Sequence, residues 1–184
     1  MNKLKIVLIS MCVVIVGLSG AVVYLFINSS ESNGGISNEE NKALDDIDME
    51  VSEYINTPSS ERNQEEYEEI TKKIELIREQ SDDQYIKVAA SIQLSYMHYY
   101  NDGLEGAIAI LDDELLKDDM SDENRYSLLT AKKFFYKDAG DNDGLINTIQ
   151  DILLLPEDMT ISYDDWSVTR PLYIEELEEL THEE

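Results

Sequence analysis

Residues 96–115 read YMHYYNDGLEGAIAILDDEL. Apolar residues on either side of Asn101-Asp102-Gly103-Leu104 recur at helical spacing, and the same four letters return as Asn142-Asp143-Gly144-Leu145. Two readings compete for this echo, a calcium loop or a corner between helices. A twelve-residue calcium loop needs oxygens at positions 1, 3, 5 and 12 around a glycine at 6. With Gly144 at 6, Asp141 and Asp143 fall at 3 and 5 and Asn147 at 9, but Ala139 falls at 1 and Gln150 at 12. With Gly103 at 6, His98, Tyr100 and Ala109 occupy positions 1, 3 and 12. The carboxylate that normally supplies two ligand oxygens is missing from both copies, so no metal site is assigned. The corner reading accounts for both: glycine accepts positive φ at the end of one helix, and Asn or Asp caps the next.

Working outward, the pattern is helical almost throughout. Ala43, Leu44, Ile47, Val51, Tyr54 and Ile55 share one helix face, and so do Tyr67, Ile70, Ile74 and Ile77. Further stripes are Tyr85, Val88, Ala89, Ile92, Tyr96 and Tyr99; Leu104, Ala107, Ile108, Leu111 and Leu115; and Leu145, Ile149, Ile152 and Leu153. A less regular one has Leu128, Ala131, Phe135 and Tyr136. Ser37-Asn38-Glu39-Glu40 and Ser81-Asp82-Asp83-Gln84 fit the capping box, and Asp102-Gly103-Leu104-Glu105 fits it with Asp as cap. Pro58 and Pro171 suit turns or first turns, Pro156 ends the sixth helix, and Leu172 to Leu180 forms a closing helix. No alternating strand pattern is present.

Spacing sets the organisation. Ser81-Asp82-Asp83 is echoed by Ser121-Asp122-Glu123, and Ser37 precedes Ser81 by a similar interval near forty residues. Each interval holds a helix, a tight turn and a second helix, which predicts a stacked helical-hairpin array. The 96–115 stretch resembles the tetratricopeptide repeat. Leu94 and Ser95 match the large and small positions of that family's first helix, and Ala107 and Leu111 the small and large positions of its second. The likeness covers one hairpin well; in the next, Thr148 stands where the family has alanine, and the interval exceeds the family's 34 residues. The resemblance implies a non-enzymatic interaction module or scaffold.

The N-terminus carries a different message. Ile6 to Ile27, IVLISMCVVIVGLSGAVVYLFI, contains no charge. A helix of that length spans ~33 Å, against a hydrocarbon core of ~30 Å. Lys3 and Lys5 precede it and no Lys or Arg follows before Lys42, so the positive-inside bias exports what lies beyond. The expected order is a cytoplasmic stub at 1–5, a transmembrane anchor at 6–27, a flexible Ser/Asn/Gly linker at 28–37 and an acidic all-α tetratricopeptide-like domain at 38–184. That is a single-pass protein of the cytoplasmic membrane, N-terminus inside, carrying about three helical hairpins outside. The alternative of a cleaved secretory signal is disfavoured because the apolar run continues past the small residues Gly17 to Ala21.

Fourteen Lys and Arg face 40 Asp and Glu, a formal net charge of −26. Repulsion on that scale excludes nucleic acid and anionic lipid as partners and favours a protein or peptide of basic character. Cys12, the only cysteine, lies in the expected anchor, so the exported part has no disulfide. No nucleophile elbow, zinc-protease motif or phosphate loop occurs, and His98 and His182 are the only histidines. No catalytic residue and no cofactor are assigned. A carboxylate-based cell-envelope hydrolase and a cation-responsive surface protein remain as alternatives to the scaffold. The more suggestive feature is aromatic: Tyr96, Tyr99 and Tyr100, with Phe134 and Tyr136 one repeat later, could line a groove that grips a peptide. Tyr100 and Phe134 fall off the main apolar faces and are the better candidates.

Overall fold

The computed structural model describes residues 38–182. The expected stub, anchor and linker at 1–37 lie outside the described residues, as does the cap at Ser37. Among the described residues no helix is long and apolar enough to cross a membrane.

The described chain is all-helical. Its helices are α1 (Asn38–Asn56), α2 (Gln64–Gln80), α3 (Gln84–Asp102), α4 (Leu104–Leu115), α5 (Asp122–Ala139), α6 (Asn142–Leu153) and α7 (Trp166–His182). An isolated antiparallel bridge between Ile161 and Asp164 tightens the longest connection. Each helix packs on the next, and α3 also packs on α1 and on α5. The helix α3 thus touches four others, which explains why residues Val88 to Met97 are buried without a break. A helix apolar on every side belongs in the interior.

The stripes read from the sequence become the core. Leu44, Ile47, Val51 and Tyr54 of α1 and Tyr67, Ile70 and Ile74 of α2 are buried, as are Ala107, Ile108 and Leu111 of α4. Each fully buried large apolar side chain contributes about 1.5–3 kcal/mol. The helix α5 looked irregular because it is buried on two faces. Leu128, Ala131 and Phe135 join the core shared with α1–α4. Tyr126 and Leu129 join a second core with Leu145, Ile149 and Ile152 of α6 and with Trp166 and Tyr173 of α7.

Several local expectations change. The cap of α3 is Asp83, whose side chain accepts from the Tyr85 amide, while Ser81 ends α2. Ser81 Oγ instead donates to Glu40 on α1 at 2.9 Å. Ser121 caps α5, accepting from the Asn124 amide. The two NDGL copies are not equivalent. Gly103 is the whole corner between α3 and α4, at φ +93°, with no side-chain cap on α4. In the second copy Gly140 takes the left-handed conformation at φ +71°, Asp141 caps α6, and Gly144 lies inside the first turn. Registered by structure, Gly103 matches Gly140. The closing helix starts at Trp166, earlier than the apolar pattern implied, and Pro171 lies inside it rather than in its first turn.

Candidate functional site

The aromatic residues singled out from the sequence fall into two groups. Tyr96, Tyr99, Tyr100 and Phe134 form one continuous cluster around Phe135. The Tyr96 ring lies 5.6 Å from Phe134 and 4.9 Å from Phe135. Tyr99 lies 4.8 Å from Phe135 and 5.3 Å from Tyr100. Tyr136 is apart from this cluster. It packs over α6, where a Cβ on Gly144 would stand 2.2 Å from its Cδ1.

Helical geometry explains the cluster. Ala89, Gln93, Tyr96 and Tyr100 stand at i, i+4, i+7 and i+11 of α3, on one stripe. Ser91 and His98 stand on the opposite side and meet the even-numbered helices: Ser91 Oγ donates to Glu114 of α4, and the His98 ring lies 6.0 Å from Tyr67 of α2. The stripe therefore faces the space between α1 and α5. Gln93 Nε2 donates to Asp48 of α1 at 2.7 Å. The Tyr99 hydroxyl donates to Asp138 of α5 at 2.6 Å. Tyr96 and Gln93 are buried, whereas Tyr99, Tyr100, Phe134 and Asp48 are half-buried and Asp138 is exposed. Burial pushes the Tyr96 phenol up, and the nearby Tyr100, Asp48 and Asp138 push it further. Burial likewise raises Asp48, with Asp45 adding repulsion, against the lowering effect of the Gln93 bond.

Arg62, in the connection after α1, holds one end of this site. Its guanidinium donates to the carbonyls of Ile55, Thr57 and Tyr100 at 2.8, 3.0 and 2.7 Å. It also sits 5.6 Å from the Tyr54 ring and 5.3 Å from the Tyr100 ring. The carbonyls belong to the C-terminal ends of α1 and α3, where a cation meets the negative end of each helix dipole.

Two other polar groups bear on chemistry. The His98 Nδ1 lies 3.0 Å from Asp102 Oδ2, and the Tyr67 hydroxyl donates to the same oxygen at 2.9 Å. The carboxylate thus orients the imidazole, but the hydroxyl beside it is a phenol raised by burial and by its bond to Asp102. A phenol held protonated is a poor nucleophile. Glu114 is 1% exposed and was not singled out. It accepts from Lys117 at 2.7 Å, Ser91 at 2.9 Å and Arg78 at 3.0 Å. Burial alone would raise it, but Lys117, Ser91 and Arg78 together hold it below its ordinary 4.5. The signal was present: Glu114 stands three residues after Leu111 and seven after Ala107, on the apolar stripe. Among the described residues no group of three or more His, Cys, Asp or Glu is placed to hold a metal ion.

Compared with known proteins, the chain matches no family model, no curated protein and no solved structure.

Proposed function

We propose that the chain is a membrane-tethered protein-interaction module on the outer face of the cytoplasmic membrane, anchored by residues 6–27, and that it assists secretion or envelope assembly by holding a protein or peptide of basic character. The single observation that carries this reading is the aromatic stripe of α3 and α5, half-buried at Tyr99, Tyr100 and Phe134, with carboxylates on both flanks. Rings of this kind combine contact area with a polar tip and are enriched where one protein grips another. The packing order supports a tetratricopeptide-like array: α3 adjoins both α1 and α5, and α2 and α4 each sit against two consecutive odd-numbered helices. In that reading α1–α2, α3–α4 and α5–α6 are the hairpins and α7 closes the last. The charge of −26 supports a cationic partner.

Two measurements test the proposal. The full chain should pellet with membranes and resist alkaline extraction; recovery in the soluble fraction would remove the tether. A photo-crosslinking residue at position 134 should give a discrete, salt-sensitive adduct in cells that the same residue at exposed position 75 on α2 does not. Equal labelling from both positions, or none from 134, would remove the groove.

A further inference from the structure

Four carboxylates of this fold that are buried or half-buried are neutralised from within. Glu50, Asp112, Glu114 and Glu176 each have a lysine or arginine nitrogen between 2.6 and 2.9 Å away. Asp48 is different. It is half-buried and oriented by the amide of Gln93, itself 3% exposed, so the carboxylate is held in place by a neutral donor. On the other flank of Tyr96, Asp138 is held the same way by the Tyr99 hydroxyl. Among the described residues no Lys, Arg or His nitrogen lies within 4.0 Å of Asp45, Asp48 or Asp138. The nearby cations are committed elsewhere. Arg62 donates to three backbone carbonyls, and Lys133 and Lys137 both bind Glu176.

Between those flanks lie aromatic rings. Tyr100 and Phe134, both half-buried, offer ring surface next to carboxylates, a combination that favours an ammonium or guanidinium over a neutral side chain. The chain already uses this pairing once, with Arg62 beside the Tyr54 and Tyr100 rings. Desolvation of Asp48, which raises its pKa, is the cost a visiting cation would offset.

We infer that the α3 face between Asp48 and Asp138 seats one cationic side chain, lysine or arginine, of a basic peptide lying across α1, α3 and α5. This inference rests on the groove reading above and specifies its occupant. The hydrophobic contact of Phe134 and Tyr100 holds the peptide's neighbouring residues, and the two aspartates select its charge.

The test uses the full chain in neutral detergent, with fluorescein-labelled tetra-arginine as probe and tetra-citrulline, its uncharged isostere, as control. Binding is read by fluorescence anisotropy at about 0.15 M salt, where distant surface charges are screened. Tetra-arginine should bind at least about tenfold more tightly than tetra-citrulline. The pair Asp48→Asn and Asp138→Asn, which keeps the oxygens that accept from Gln93 and Tyr99, should remove about tenfold of that affinity. The pair Glu75→Gln and Glu79→Gln, equal in charge change and exposed on α2, should alter it less than about twofold. Circular dichroism of each variant confirms the helices. Equal losses in both pairs would mean a diffuse field and would overturn the seat. Equal binding of the two peptides would overturn the seat while leaving the groove. No binding of either peptide would also overturn it, and crosslinking from position 134 then reports on the groove by itself.

Discussion

Gly106 and Gly144 offer a matched pair of substitutions with opposite expected signs. Each is the third residue of its helix, α4 or α6, and each stands eight residues after the side chain it meets. A Cβ on Gly106 would lie 3.5 Å from His98 Nδ1, an ordinary contact. Gly106→Ala should therefore show only the backbone gain of replacing a helical glycine, about 0.5–1 kcal/mol of added stability. A Cβ on Gly144 would lie 2.2 Å from Cδ1 and 2.7 Å from Cγ of Tyr136. Carbon atoms rest at about 3.5–4.0 Å, so the ring would have to retreat by more than ~1 Å or the helices would have to part. Overpacking of this kind costs about 1–3 kcal/mol, so Gly144→Ala should come out destabilising by about 1–2 kcal/mol after the backbone gain. For a chain of this size each kcal/mol moves the melting temperature by about 2–4 °C. The readout is thermal and chemical unfolding followed by circular dichroism at 222 nm. The decisive arm is a double-mutant cycle. In a Tyr136→Ala background the ring is gone, and Gly144→Ala should become neutral or stabilising, giving a coupling of at least about 1 kcal/mol. If Gly144→Ala were as stable as Gly106→Ala, or if Tyr136→Ala left its effect unchanged, the close α5–α6 contact would be refuted.

Other substitutions probe the remaining features by the same unfolding assay. Glu114→Ala removes the buried acceptor of Ser91, Lys117 and Arg78, of which Arg78 keeps Asp113 at 3.1 Å, and should cost about 1–3 kcal/mol. Because the folded Glu114 titrates below its ordinary 4.5, its contribution is complete at neutral pH and fades as pH falls through the folded value. The stability gap between the native chain and Glu114→Gln should therefore narrow as the pH falls below 4.5; a gap that widened in acid would contradict the sign. Gly103→Ala forces a side chain onto φ +93°, ψ −172°, and should cost about 1–3 kcal/mol although no atom lies within 4 Å of the new Cβ. Tyr126→Phe removes the hydroxyl bonded to Asp164 and Tyr173 at 3.1 Å and should cost about 1–2 kcal/mol, seen as a lower denaturation midpoint. Leu116→Lys and Leu154→Lys, at positions 81% and 82% exposed, should stay within about 0.5 kcal/mol of the native chain.

The helices that sit on one face of a core were legible as stripes. The periods in α1, α2, α4 and α6 name the residues that end up buried. Legibility fell where one helix serves two neighbours. The Tyr126 and Leu129 side of α5 points into a different core from Leu128 and Phe135, so a single apolar stripe cannot describe it. The start of α7 was hidden for another reason. Trp166 is fixed by a bond from its indole nitrogen to the Pro156 carbonyl at 2.8 Å, a long-range contact with no periodic trace. The NDGL echo misled because its letters repeat four residues out of step with the backbone. Glycine's positive φ is used at 103 and 140, while Gly144 serves a close approach to Tyr136. In the candidate site, adjacency in sequence joined Tyr136 to Phe134, yet two residues apart on a helix are ~200° apart around its axis. Asp48, Gln93 and Arg62 escaped notice because their importance comes from which helices meet there.

The sharing of α5 between two cores has a bearing on how the molecule comes apart. Its C-terminal partners, α6 and α7, gain little directly from the α1–α4 side, so they form a lid of structure that can peel away while the larger block stays shut. Amide protons in α6 and α7 would then exchange with solvent ahead of those in α3, whose four-sided enclosure opens only with the whole. A fraying end of that kind would also be the first place for a protease to enter, at the 154–165 connection, and the last place where a point change would disturb the α3 face.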